Sequence, residues 1–195
     1  MAAGDMRDNR IFADTDALPI VAGRAQPSFW RRWFPTLRFL LLCVALWFGL
    51  RAVAPSYAIE GESMAPTFHD GGRVLLNGTY RFQQAHYGDV VVFHPPFSSD
   101  KPYIKRVIGL AGDTIDIHDG AVYRNGERLV EPYVDGASTN CHHPPHCALT
   151  IPEGMVYVLG DNRPNSSDSR VFGPVDRDAV LGEVLFSFWP LADIR

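Results

Sequence analysis

Two residue types suited to nucleophilic catalysis without a cofactor stand in distinctive settings. Ser63 lies in Ile59-Glu60-Gly61-Glu62-Ser63-Met64-Ala65-Pro66-Thr67, and Lys105 lies in Tyr103-Ile104-Lys105-Arg106-Val107-Ile108-Gly109. A serine hydroxyl is a weak nucleophile at neutral pH and needs a base. A neutral lysine amine can take that role, but a free lysine titrates near 10.4 and stays protonated. Burial among apolar groups disfavours the ammonium and lowers the pKa. The neighbours of Lys105 suit that need, and strand alternation sends Tyr103, Lys105 and Val107 to one face. Periodicity alone favours a solvent-facing lysine, because lysine is usually exposed. Only Lys101 competes, and it sits in the polar turn Ser99-Asp100-Lys101-Pro102. Gly61-Glu62-Ser63-Met64-Ala65 is close to the G-x-S-x-G elbow, which requires a strand-to-helix turn; Pro66 and the β-like runs beyond it supply none. A Ser–His–Asp triad has candidates in His69, His86, His94 and His118, but no local context selects one of them.

The elements that must position the pair can be read from the rest of the chain. Its 195 residues suffice for one ordinary domain plus an anchor, and the net charge of −4 gives no basis for nucleic-acid binding. Residues 1–36 mix acidic residues with Gly and Pro, show no sustained apolar period, and read as a flexible cytoplasmic segment. Basic residues and tryptophans, among them Arg31, Arg32, Trp30 and Trp33, gather towards its end, as at a membrane interface. Residues 37–55 read as a transmembrane helix. The uncharged centre, Phe39 to Leu50, is short against the roughly 20 apolar residues of a full span. Arg38 and Arg51 extend it by snorkelling towards opposite headgroup layers. A buried helix of a soluble protein and a cleavable signal peptide ending at Ala52-Val53-Ala54 are the alternatives. The excess of arginine before the segment predicts an N-terminus inside and the remainder outside, a single pass through the inner (cell) membrane.

From residue 56 to 195 the pattern changes to short β-like runs punctuated by turns. Arg73-Val74-Leu75-Leu76 stops at Asn77-Gly78, Val90-Val91-Val92-Phe93 stops at His94-Pro95-Pro96, and Thr114–Ile117 and Ala121–Arg124 flank the turn His118-Asp119-Gly120. Met155–Leu159 and Val180–Trp189 follow, and no amphipathic helix follows Pro55. The expectation is a mostly β, extracytoplasmic domain of antiparallel sheets, with residues 114–156 forming a smaller cap or insert.

Four ordered blocks after Ile59 resemble type I signal peptidase, the membrane-bound Ser–Lys protease family. They are Ile59 to Thr67; Gly88-Asp89-Val90-Val91-Val92-Phe93; Tyr103 to Asp113; and Gly160-Asp161-Asn162-Arg163-Pro164-Asn165-Ser166-Ser167-Asp168-Ser169-Arg170. The resemblance implies Ser63 as nucleophile, Lys105 as general base and Ser166 as the serine that orients the lysine. It implies apolar packing of the lysine by Phe93, Tyr103 and Val158. Arg106, Asp161, Asp168 and Arg170 match the charged residues that brace the site. Ile59, Met64, Phe68 and Ile104 match the lining of shallow pockets for small side chains, with Tyr103 beside them.

The implied activity is cleavage of signal peptides after small residues of Ala-x-Ala type, with no metal or organic cofactor. The implied partners are preprotein signal peptides and the lipid bilayer, near the translocation machinery. Some members carry a serine where this chain has Gly61, so the oxyanion is expected to rely on backbone N–H groups, chiefly that of Ser63. The loop Cys141-His142-His143-Pro144-Pro145-His146-Cys147 admits a zinc reading, but outside the cytoplasm a Cys141–Cys147 disulfide is the simpler one. Rival assignments are a single-substrate relative of conjugation or pilin type, a self-cleaving repressor, which would want a DNA-binding domain, and a non-catalytic metal-binding β-domain.

Overall fold

A computed structural model describes residues 29–97, 99 and 101–189. Most of the N-terminal segment expected to be flexible therefore lies outside the described residues. The first element is a helix, α1 (Phe29–Val53), which begins eight residues before the Leu37 boundary expected from the sequence and carries Pro35 inside it. The stretch Trp33–Arg51 alone is 19 residues with none of its surface buried in protein. At about 1.5 Å per residue it is roughly 28 Å long, close to the ~30 Å hydrocarbon core of a bilayer. Starting the helix earlier thus removes the shortfall implied by a twelve-residue apolar centre. A helix apolar on every face, with no residue of that stretch buried among the described residues, has the character of a membrane span, not of a core helix. Near its end the Arg51 guanidinium lies 5.1 Å from the centre of the Trp47 ring, a cation paired with the ring type favoured at membrane interfaces.

The β-domain is described separately. Its strands are β1 (Ser56–Ala58), β2 (Arg73–Asn77), β3 (Val90–Phe93), β4 (Tyr103–Leu110), β5 (Thr114–His118), β6 (Ala121–Arg124), β7 (Glu127–Arg128), β8 (Ala148–Thr150), β9 (Met155–Leu159), β10 (Val175–Asp176) and β11 (Val180–Trp189). Seven form one sheet in the order β1-β2-β11-β3-β4-β9-β10, and four form a second in the order β7-β6-β5-β8. All the pairings are antiparallel. The small sheet occupies residues 114–150. Two four-residue helices, α2 (Pro144–Cys147) and α3 (Ser169–Phe172), are the only α-helical pieces described after Pro55.

The large sheet is buried on both faces, which explains why β3 reads Val-Val-Val-Phe without alternation. Val91 and Phe93 join Val107, Val156, Val158 and Val180 on one face. Val90 and Val92 join Ile59, Met64, Val74, Leu76 and Ile104 on the other. A bulge in β4 between Val107 and Gly109, where it pairs with β9, breaks this alternation. It turns Ile108 into a third core with Ile115, Ile117, Val122, Ile151, Tyr157 and Leu159, which fixes the small sheet to the large one.

The two edges of β4 are paired unequally. β3 covers one side of the strand along Tyr103–Arg106. On the other side β9 pairs only from Arg106 onward. The outer edge of β4 at Tyr103–Lys105 is thus unpaired by any described strand, as is the outer edge of β1.

Candidate active site

Ser63 sits in the turn that leaves β1, and Lys105 sits in the middle of β4. The chain pairs Lys105 with Val91 and Tyr103 with Phe93 on β3, and Val107 with Val158 on β9. Alternation therefore sends the lysine into an apolar face, as expected, and the side chain is almost wholly buried, 3% exposed. Its Nζ lies 2.7 Å from Ser63 Oγ. It also donates to the carbonyl of Ile104 at 2.7 Å and lies 5.3 Å from the centre of the Tyr103 ring. No carboxylate is within hydrogen-bonding distance of Nζ among the described residues. Burial pushes the amine down from the ordinary lysine value to about 8, while the negative charges of Asp168 and Asp161 pull it part of the way back up. An amine with that pKa is neutral in a substantial fraction of molecules near neutral pH, and a neutral amine 2.7 Å from a hydroxyl can take its proton.

The two carboxylates are held by arginines and backbone, away from the amine. Asp161 receives two bonds from Arg106, Nε to Oδ1 at 2.9 Å and a second guanidinium nitrogen to Oδ2 at 2.6 Å, and a third from Thr67 Oγ1 at 2.5 Å. Arg106 is stacked on the Tyr133 ring at 4.1 Å. Asp168 accepts from Gly160 N at 3.0 Å and from Arg170 Nε and a second guanidinium nitrogen, both at 2.8 Å. Arg170 also donates to the carbonyls of Arg163 and Ser166, tightening the loop that faces the nucleophile. Arg163, fully buried, is satisfied by Glu131, Thr139 Oγ1 and the Gly160 carbonyl.

Ser63 and Lys105 both line an open groove of about 470 Å³. One wall is Tyr57, Ala58, Ile59 and Glu60; the other runs from Lys101 through Pro102, Tyr103 and Ile104; Val74 and Val92 supply further apolar surface, and Ser167 adds a hydroxyl. Glu60 and Lys101 form an exposed ion pair across it. No histidine lines this groove among the described residues, so the triad alternative finds no base there.

Three expectations for individual residues differ from the structure. Ser166 Oγ does not reach the lysine: it is buried and has no hydrogen-bond partner among the described residues, and the second acceptor for Nζ is the Ile104 carbonyl. Ser167, not Ser166, lines the groove; Ser166 borders a separate cavity of about 340 Å³. Met64 and Phe68 do not line the groove. Met64 is fully buried, and Phe68 packs beside it against Ile59 and Val74 in the core. Both lie in the turn that carries Ser63, closed by a bond from the Phe68 N–H to the Met64 carbonyl. Ile59, Tyr103 and Ile104 do line it, while Phe93 and Val158 pack in the core on the face that receives the lysine. Cys141 and Cys147 are joined by a disulfide.

Sequence reading passed over Thr67, Gly160, Asn162 and Arg163, all of which sit at the seam between the Ser63 turn and the 160–170 loop. The only available signal was the density of Gly, Asp, Asn and Arg in that loop. Gly160 shows why density alone was too little. A Cβ placed there would stand 2.2 Å from Ser166 Oγ and 2.5 Å from the Ser63 carbonyl oxygen.

A serine hydroxyl in contact with a buried lysine amine, both lining a groove with an open strand edge, belongs to the Ser–Lys class of hydrolase sites on a mostly antiparallel β fold. The chain belongs to the signal peptidase, peptidase S26 family, which it matches over residues 30–189, and it is a peptidase. It is 36% identical over 176 residues to "Probable signal peptidase I-1" of a Synechocystis species, covering 84% of this chain and 86% of that protein. It is 38% identical over 161 residues to signal peptidase IB of Staphylococcus aureus, covering 73% of this chain and 82% of that protein. The crystal structure of a signal peptidase I from Enterococcus faecalis is 34% identical, with a TM-score of 0.45 over 53% of this chain and 98% of that one.

Two outcomes are expected from this geometry. Gly160→Ala places a methyl group against a backbone carbonyl that cannot move without moving Ser63. Displacements of that size cost about 10²-fold in rate, so peptide cleavage should fall by at least that factor. Activity within threefold of the parent would show that the seam yields freely. The second outcome concerns stability. The unfolded chain holds the lysine proton up to pH ~10.4, the folded chain only up to about 8, so protonation favours unfolding. The deficit is fully present below pH 8 and disappears as the pH rises past the unfolded value. Lys105→Met should therefore be more stable than the parent at pH 7, by about 3 kcal/mol, with the gap closing between about pH 8 and 10.5. Equal stabilities at pH 7, by denaturant titration of the full chain in detergent, would mean that the amine is not desolvated.

Proposed function

We propose that this chain is a membrane-anchored signal peptidase in which Ser63 is the nucleophile and Lys105 the general base. The observation that carries the assignment is the 2.7 Å contact between Ser63 Oγ and the buried Lys105 Nζ. Neutral Lys105 takes the proton from Ser63 as Oγ attacks the scissile carbonyl. The resulting ammonium then protonates the leaving amine, and the regenerated amine activates the water that releases the acyl group. The Ile104 carbonyl holds one N–H of the amine, which leaves its lone pair for the serine.

Substrate class follows from the groove. An extended peptide laid between Tyr57–Glu60 and Lys101–Ile104 can pair with the free edge of β4 as an added strand. The lining that Ile59, Val92 and Ile104 share with Ser63 is apolar, which suits a small apolar side chain such as Ala on the acyl side of the cleaved bond. The proposed partners are preproteins carrying such signal peptides, presented at the bilayer near the translocation machinery. The N-terminus stays in the cytoplasm and the β-domain lies outside the membrane, because Arg31 and Arg32 immediately precede the apolar stretch Trp33–Arg51 and the disulfide lies in the β-domain. The same disulfide takes up both cysteines on which a zinc reading of that loop depends.

Ser63→Ala and Lys105→Ala should each abolish preprotein cleavage while leaving the melting transition in place; full activity in either variant excludes the mechanism. In the parent, kcat/KM should rise about tenfold per pH unit below the lysine pKa and level off above about 8. A flat profile from pH 5 to 8 would rule out the lysine as base. Orientation is read by protease treatment of intact spheroplasts. The β-domain should be degraded and epitopes before α1 protected, and the reverse pattern would invert the topology.

A further inference from the structure

Gly61 leaves the oxyanion without a side-chain donor from that position, and its backbone lies at φ +86°, where a side chain is strained. The main chain of the Ser63 turn can supply the donor instead. The Ser63 N–H has no acceptor among the described residues. It is therefore free to donate, provided that the peptide unit carrying it is fixed. That unit is the one between Glu62 and Ser63. It is a trans peptide, so its C=O and N–H point in opposite directions. Whatever grips the Glu62 carbonyl aims the Ser63 N–H.

The grip comes from one residue. Asn162 Nδ2 donates to the Glu62 carbonyl at 3.0 Å. The Asn162 backbone N–H donates to the Ser63 carbonyl at 3.1 Å. The two peptide planes flanking the Ser63 Cα are thus held by one residue about a hundred positions on. The amide assignment is supported independently, since Asn162 Oδ1 accepts from Asn165 Nδ2 at 3.3 Å. Resting on the assignment of Ser63 as nucleophile, we infer that Asn162 is a positioning residue whose side-chain amide aims the Ser63 N–H at the oxyanion formed during acyl transfer. It touches no reacting atom, and its effect passes through a single peptide plane.

The readout must separate this from plain structural support. In Asn162→Ala the backbone bond to Ser63 survives and only the amide is lost. Aiming one donor is worth less than removing one, which costs about 10²–10³, so kcat should fall by about 10- to 100-fold with KM within threefold. The pH midpoint near 8 should not move, because the lysine is untouched. A substrate-like peptide ending in alaninal, whose carbonyl carbon bonds to Ser63 Oγ and whose oxygen takes the electron pair, should lose the same factor in affinity. The corresponding alaninol peptide, which forms no adduct, should bind as before.

The inference is overturned if kcat stays within threefold of the parent, if the loss falls in KM, if the pH midpoint shifts, or if both peptides weaken equally. If Asn162→Ala melts below the assay temperature, Asn162→Asp decides by the split between kcat and KM and by the two peptides, the pH midpoint being set aside because a new carboxylate beside Asp161 raises the lysine pKa. It keeps the shape and the backbone bond but turns the donor into an acceptor facing a carbonyl. Ser63→Ala run alongside separates the two ideas. An active Ser63→Ala enzyme sinks the nucleophile assignment, whereas an inactive one beside an unimpaired Asn162→Ala sinks only the role of Asn162.

Discussion

Everything in the site depends on keeping one amine dry. Lys105 is useful only because β4 delivers it into an apolar face, between Val91 and Phe93 of β3 and Val158 of β9, where the ammonium is penalised. The opposing pull comes from Asp161 and Asp168, the two negative charges that favour the protonated lysine. Both are already bound, Asp161 by Arg106 and Thr67, Asp168 by Arg170 and the Gly160 N–H. The arginine pairs therefore do more than brace loops. They supply the counter-charge that the lysine would otherwise supply, and so let desolvation prevail. A buried carboxylate stripped of its arginine would turn to the next cation, and here that is the Lys105 amine.

The fold meets this requirement with an unequal sheet. β3 and β4 must be covered on both faces to bury Lys105, yet β4 leaves one edge bare, the edge proposed to pair with a peptide. The solution is in the register. β9 pairs with β4 only from Arg106 onward, and the bulge after Val107 bends the strand so that the small sheet docks on Ile108, clear of the groove. The 160–170 loop then passes behind Ser63, where its Gly160 has no room for a side chain. Burial of the base and exposure of the edge are thus separated by a single residue along β4.

Much of this was legible because apolar patterning is local. The runs Val90–Phe93, Met155–Leu159 and Val180–Trp189 appear as strands, and the turn at Asp119-Gly120 joins β5 and β6. Alternation placed Tyr103, Lys105 and Val107 on one face, but could not say whether that face was wet; that depended on β9, about fifty residues away. Strands of two or three residues, such as β7, β8 and β10, carry too few positions to show a period. The early start of α1 was hidden by Pro35 and by the arginines around it, which break the apolar run without breaking the helix. The charged loop was the least legible part. Which of its many polar side chains is buried, and on what, is decided by partners such as Glu131, Thr139 and Glu62 that lie far away in sequence.

The same distinction explains the turn around Ser63. A hydroxyl at position 61 would be a donor visible in the sequence. With glycine there, at a φ that disfavours any side chain, the donor becomes an N–H common to almost every residue, and sequence cannot mark it. What distinguishes this N–H is its freedom from an acceptor among the described residues, combined with the fixing of its peptide plane from the carbonyl side. Preorganised donors stabilise a developing charge because they need no reorientation when it forms, so rigidity matters as much as presence. The rigidity is supplied by the 160–170 loop, the same loop whose Asp161 and Asp168 are paired with arginine around the lysine. The proposed nucleophile, base and oxyanion donor are therefore referred to one backbone segment, and a shift of that segment would disturb all three together.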